Sequence, residues 1–140
     1  MPSKATLKDI QLILKGTKLE SLSKAYLNAE KIYKVNSIFL ISLSAQESGY
    51  GTSRRSVEQN NITGFTVYGD YAKGTTFNSK SECILETAKL LSEDYLNPKG
   101  KFYNGKSIWD INSNYCQDTG FYWANSINSI ANTLVKKINK

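Results

Sequence analysis

Apolar residues crowd most densely into one stretch, where Ile38, Phe39, Leu40, Ile41, Leu43 and Ala45 leave almost no polar face. A helix with that pattern is buried on most sides. Asn36 stands where an N-cap belongs and Gly49 where the helix should stop. Before it, Leu22, Tyr26, Ala29 and Tyr33 recur at three and four residues, which predicts an amphipathic helix over 19–33 with Lys24, Glu30 and Lys31 in solvent. Residues 1–18 are polar and lysine-rich around Ile10, Leu12, Ile13 and Leu14, and read as an arm or short helix. Residues 49–56 read as a loop or the first turn of a short helix, with Arg54 and Arg55 exposed, and 60–64 as a turn. Phe65, Val67 and Tyr68 alternate weakly, which suggests a short strand or an extended loop over 65–71.

Ser79 with Glu82 three residues on fits a capping box for a helix whose stripe is Cys83, Ile84, Ala88, Leu91 and Tyr95. Asn97-Pro98 ends it. Ser107 caps a short helix through Ile108, Trp109 and Ile111, and 114–120 reads as a loop. The last helix covers 121–138, with Ala124, Ile127, Ala131, Leu134, Val135 and Ile138 on one face. Lys136 and Lys137 sit at its C-terminus, where the macrodipole favours cations. The expected fold is mostly α: about five helices around a buried central one, with at most a very small β-hairpin. The expected division is an arm at 1–18 and a body at 19–140.

Composition narrows the chemistry. The chain has 140 residues and no histidine, which removes Ser-His-Asp and Cys-His nucleophile systems and every His-containing zinc site. Two cysteines, Cys83 and Cys116, are too few for a structural metal site; they read as two buried free thiols, with one disulfide as the alternative. No metal and no cofactor is expected. The net charge of +6 is carried almost wholly by scattered lysines and suits a polyanionic partner without choosing one. No basic run with interleaved aromatics forms a nucleic-acid platform, so no nucleic-acid partner is expected. The longest apolar run, Ile38 to Ile41, is too short to span a bilayer, and the N-terminal residues lack the apolar core of a secretory signal.

Glu47 is the candidate acid. It falls in the last turn of the buried helix, where the dipole and partial burial both disfavour the ionised form. Both raise its pKa, as a general acid near neutral pH requires. A glutamate satisfied by nearby loop amides is the alternative reading of the same position. Nine tyrosines supply flat faces with polar tips suited to sugar rings. A cleft beside Glu47 would draw on Tyr50, Phe65, Tyr68, Tyr71, Tyr103 and Tyr115.

From about Leu14 to Ile138 the chain resembles the bacterial glucosaminidase domain, glycoside hydrolase family 73 of the lysozyme-like superfamily. QESGYGTS, at 46–53, matches that family's E-S-G-[WY]-G-x-S pattern, and NNITG, at 60–64, is similar to its N-N-x-F-G turn. The tyrosine-containing segment before the last helix is similar to its C-terminal part. The resemblance implies a lysozyme-like fold and cleavage of the β-1,4 bond after N-acetylglucosamine in peptidoglycan. By the same resemblance Glu47 protonates the glycosidic oxygen, Tyr115 lines the centre, and Asn60 and Asn61 shape the cleft floor. Ser48 and Gly49 would fix the turn, with Ser48, Tyr50, Phe65, Tyr68 and Tyr71 toward substrate. Two departures stand out: Thr63 replaces the turn aromatic, whose space Phe65 would fill, and no T-E-Y-type second carboxylate appears. Asp70 is the only acid between Glu58 and Glu82. The second group is then Asp70 or the substrate's own 2-acetamido oxygen.

A muramidase or lytic transglycosylase of the same superfamily, and a non-catalytic wall-binding module, are the competing readings. The expected place of action is the bacterial wall, reached by phage delivery, by release, or as a module of a larger exported protein. A monomer that does not insert into membranes is expected.

Overall fold

The computed structural model describes residues 2–65, 75–115 and 120–139. Among these, seven α-helices and no strand occur: α1 Leu7–Leu14, α2 Ser23–Tyr33, α3 Ser37–Ser48, α4 Arg54–Gln59, α5 Lys80–Leu90, α6 Ile108–Tyr115 and α7 Tyr122–Ile138. A 3-10 turn, Glu20–Leu22, leads into α2, and α5 runs on as a π turn, Leu91–Tyr95. The count exceeds the five expected because α1 and α4 are full helices. A capping box missed in the sequence starts α1: Thr6 accepts from the Asp9 N–H while Asp9 accepts from the Thr6 N–H. Ser53 caps α4 by accepting from the Ser56 N–H. The strand suggested at Phe65–Tyr71 lies almost wholly outside the described residues.

The mostly helical reading holds, with α3 at the centre. Asn36 caps it by accepting from the Phe39 N–H at 3.0 Å, and Gly49 ends it at φ 55°. Helix α7 packs along α3, and α2 packs on α3 and α5. Three serines interrupt the apolar run yet are fully shielded, because each hydroxyl turns back on its own helix. Ser42, Ser44 and Ser48 donate to the carbonyls of Ile38, Leu40 and Ser44 at 2.7, 2.8 and 2.6 Å. Self-satisfaction of this kind lets a polar side chain sit in a core without orphaned groups. The buried Tyr26 hydroxyl donates to Ser44 Oγ at 2.7 Å and so ties α2 to α3. Helix α1 drives Ile10, Ile13 and Leu14 into the same core and leaves Leu12 outside. On α7, Val135 was expected inside and is exposed.

Glu30 corrects the sequence reading. It is buried rather than solvated. Its Oε1 accepts from Ser3 N–H at 2.9 Å, Ser3 Oγ at 2.7 Å and Ser37 N–H at 2.8 Å. The amphipathic pattern of α2 places Glu30 outside the apolar stripe. The N-terminal strap folds over that position, and the free amides at the start of α3 need an acceptor. Burial pushes the Glu30 carboxyl upward, but the donated bonds from Ser3 and Ser37 outweigh it and hold it below the ordinary carboxylate value. Replacement by Ala should therefore cost about 1.5–3 kcal/mol, the range for hydrogen bonds to a charged group, read as a lower Tm. A depressed folded pKa stabilises above the unfolded pKa and loses that contribution as pH falls through the folded value. The stability gap between wild type and Glu30→Ala should therefore close only below about pH 4.5.

Candidate active site

Glu47 occupies the last turn of α3, just before a reversal in which Gly49, Tyr50 and Gly51 take φ values of 55°, 56° and 84°. Two of the three are glycines, for which this region carries no steric cost. Tyr50 is the exception, a half-buried aromatic held left-handed beside the candidate acid; such strain persists only where the surroundings over-determine it. Ser48 braces the reversal: its buried hydroxyl donates to Ser44 and accepts from the Gly51 N–H at 3.0 Å. Ser48 therefore serves the turn and presents no free group to a groove.

The Glu47 carboxylate has a different partner on each side. Oε1 accepts from the Trp123 indole N–H at 2.6 Å, a bond between residues 76 apart in the chain. Oε2 lies against Gly64, where an added Cβ would stand 2.9 Å from it. Gly64 has φ 70°, so both the close approach and the backbone conformation require glycine. Glu47 as a residue remains open to solvent along one flank, while its carboxylate is walled by these two neighbours. Crowding of the carboxylate raises its pKa, and the Trp123 N–H and the Arg55 cation oppose that rise without cancelling it. Arg55 was expected in solvent; it is half-buried on α4 and acts on Glu47 electrostatically.

Trp123 is itself held. The Tyr115 ring stacks on it with centroids 5.1 Å apart and planes at 26°, and the Tyr115 hydroxyl donates to the Thr63 carbonyl at 3.1 Å. Glu47, Trp123, Tyr115 and the Thr63-Gly64 turn thus close a ring of contacts. Tyr95 packs against the far side of this set, 5.6 Å from Tyr115, with Phe102 5.2 Å beyond it. Tyr115 was read as part of a loop; it is the last residue of α6, and Cys116 lies outside the described residues.

The 60–65 turn is built by its asparagines. Asn61 is buried and brackets Phe65, accepting from its N–H at 2.9 Å and donating to its carbonyl at 2.9 Å, and also donates to the Thr75 carbonyl at 3.1 Å. Asn60 donates to the Phe77 carbonyl at 3.0 Å and accepts from Lys80 Nζ. Both side chains are spent on the loop. Thr63 points inward to Thr87 at 2.7 Å and to the free thiol of buried Cys83, while Phe65 meets Phe77 edge-on at 5.4 Å. Tyr103 is exposed on the loop between α5 and α6. Asp70, Tyr68 and Tyr71 lie outside the described residues. No three His, Cys, Asp or Glu side chains gather as a metal cluster among the described residues.

Against known proteins, the glucosaminidase model, described as mannosyl-glycoprotein endo-beta-N-acetylglucosaminidase, matches residues 23–136. The chain belongs to the glucosaminidase family. Two Streptococcus pneumoniae proteins, from strains TIGR4 and R6 and provisionally named endo-beta-N-acetylglucosaminidase, are each 29% identical over 129 residues, 91% of this chain. The chain spans only about a fifth of their length (19% and 18%). Staphylococcus aureus autolysin E superposes with a TM-score of 0.74 at 21% identity, covering 98% of this chain and 69% of that one. It has been solved with the muropeptide NAM-L-Ala-D-iGlu and, as a catalytic Glu-to-Ala mutant, with the disaccharide NAG-NAM. The catalytic domain of the Listeria monocytogenes autolysin Auto gives a TM-score of 0.63 at 18% identity. These likenesses establish the lysozyme-like autolysin fold for this glucosaminidase domain.

Sequence reasoning missed Trp123 and Gly64. Trp123 precedes Ile127 by four residues and so merges with the apolar stripe of α7. Its one distinguishing signal is that a buried indole N–H needs an acceptor. Replacing Trp123 by Phe removes a donor that favours the ionised carboxylate, so the Glu47 pKa should rise further, measurable by carboxyl 13C titration. Gly64→Ala should cost about 1–2 kcal/mol for the left-handed backbone alone and displace the same 13C resonance, because the new methyl meets Oε2.

Proposed function

We propose that this glucosaminidase domain hydrolyses peptidoglycan, cutting the β-1,4 bond between N-acetylglucosamine and N-acetylmuramic acid with Glu47 as general acid. The observation that carries the reading is the Glu47 carboxylate itself: raised in pKa, open to solvent on one flank and tied by one oxygen to Trp123. The family description supports cleavage at N-acetylglucosamine, and the NAG-NAM bound to autolysin E supports a peptidoglycan substrate.

The two oxygens divide the work. An indole N–H on Oε1 favours the proton on Oε2, which faces the Gly64 turn. Oε2 delivers that proton to the glycosidic oxygen as the C1–O bond breaks. The carboxylate left behind is stabilised by the Trp123 N–H and by Arg55. These two groups keep the acid from holding its proton too tightly, while partial burial of the carboxylate favours the protonated form. Trp123 acts through Glu47 as a positioning residue. The substrate's 2-acetamido oxygen then assists at C1, with Asp70 orienting it or the attacking water. Delivery to the wall by a phage, by release or within a longer exported protein fits this activity, and a monomer suffices for it.

Glu47→Gln should lower wall hydrolysis by about 10²–10⁴-fold, the usual contribution of a general acid. Products carrying N-acetylglucosamine reducing ends support the reading; N-acetylmuramic acid or anhydro-muramyl ends overturn it. With substrate assistance, Asp70→Asn should lose far less activity than Glu47→Gln, and equal losses count against assistance. Activity should fall on the alkaline side as Glu47 ionises. Because the Trp123 bond lowers that pKa, Trp123→Phe should move this limb to higher pH while reducing kcat.

A further inference from the structure

Helix α6 presents Trp109, Asn112 and Tyr115 at three-residue spacing, one face of the helix. They meet α7 in register. Tyr115 stacks on Trp123, Asn112 Oδ1 accepts from the Ala124 N–H at 2.9 Å, and Trp109 Nε1 donates to Asn125 Oδ1 at 2.9 Å. The row that ends on Glu47 therefore continues outward for about 9 Å, six residues of helix rise, to Trp109. Trp109 keeps 40% of its surface exposed although its N–H is satisfied. One turn before Asn125, Tyr122 is 75% exposed, and its ring lies so close over Gly120 that a Cβ there would collide with it.

A pinned indole, an exposed phenol ring and an exposed amide thus share one end of the α6–α7 pair. Asn125 spends its carbonyl on Trp109 and retains its N–H donors. None of the three side chains is charged, in a protein whose net charge is +6. The patch thus suits a neutral, polar ligand with flat apolar faces rather than an anionic polymer. A pyranose bearing an acetamido group has both features: axial C–H faces for the rings and a carbonyl for the amide.

We infer that Trp109, Asn125 and Tyr122 form an accessory subsite that holds a further N-acetylhexosamine of the glycan strand, outboard of the sugars at Glu47. The identity of the ligand rests on the glucosaminidase reading. The subsite lengthens the grip on the strand and favours long glycans over short fragments.

Calorimetric titration of the Glu47→Gln protein with chitohexaose and with chitobiose tests this without turnover. Adding Trp109→Ala or Tyr122→Ala should each weaken chitohexaose binding roughly three- to tenfold, the scale of one lost aromatic contact. The preference for chitohexaose over chitobiose should shrink in step. Tyr122→Ala removes an exposed ring, so it remains decisive if Trp109→Ala is unstable. An unchanged chitohexaose Kd in the variants, or no chitohexaose binding to Glu47→Gln, overturns the subsite. Wall digestion by the wild type is read separately. A failure to release N-acetylglucosamine reducing ends removes the proposed activity, while a Kd that responds to Trp109 and Tyr122 still supports the subsite.

Discussion

The bond from the Trp123 indole to the Glu47 carboxylate is the constraint around which the molecule is arranged. It joins the last turn of α3 to the first turn of α7, across 76 residues of chain. It forms only because α7 lies along α3 and because α6 delivers Tyr115 to the outer face of the indole. Asn112 adds to the same junction by meeting an amide in the first turn of α7, one of the groups every helix start leaves open. The Thr63-Gly64 turn closes the fourth side, held by the Tyr115 hydroxyl and by the Asn61 clamp. Disturbing any of these elements moves the carboxylate.

Two glutamates flank the central helix, and their environments run opposite ways. Glu30 accepts from the first amide of α3, at the end where the dipole and free N–H groups favour negative charge. Its carboxyl is held low and fastens the N-terminal strap. Glu47 sits in the last turn of the same helix, where the dipole opposes its charge and crowding adds to that opposition. The same side chain is thus a structural anion at one end and a carboxyl of raised pKa at the other. Position along one helix decides which.

The aromatic residues divide in a comparable way. Phe102, Tyr95, Tyr115 and Trp123 form a continuous run of ring contacts leading to the acid. Tyr95 and Trp123 are buried and Phe102 and Tyr115 half-buried, so the run backs the carboxylate from within the fold. Trp109 and Tyr122 continue the surface where the support reaches solvent. The proposed glycan-binding face would need few charged groups, in keeping with a charge spread over lysines elsewhere in the chain.

Local physics made much of this visible beforehand. The run Ile38–Ala45, capped by Asn36, specified a buried central helix, and the stop at Gly49 placed Glu47 in its last turn. Capping at Ser79 and Ser107 located α5 and α6, where the hydroxyls accept from the Glu82 and Asp110 N–H; at Ser79 only this half of the expected capping box is made. What the chain pattern could not carry were contacts between elements distant in sequence. Glu30 looked solvated because the strap that covers it lies 27 residues away. Trp123 looked like core because its stripe position is a core position, and only the packing of α3 on α7 turns its N–H toward Glu47. Gly64 looked like an ordinary turn glycine until the carboxylate was found beside it. Helix boundaries and the place of Glu47 at a helix end follow from near neighbours along the chain. The partners of that carboxylate follow from long-range packing, which no local period encodes.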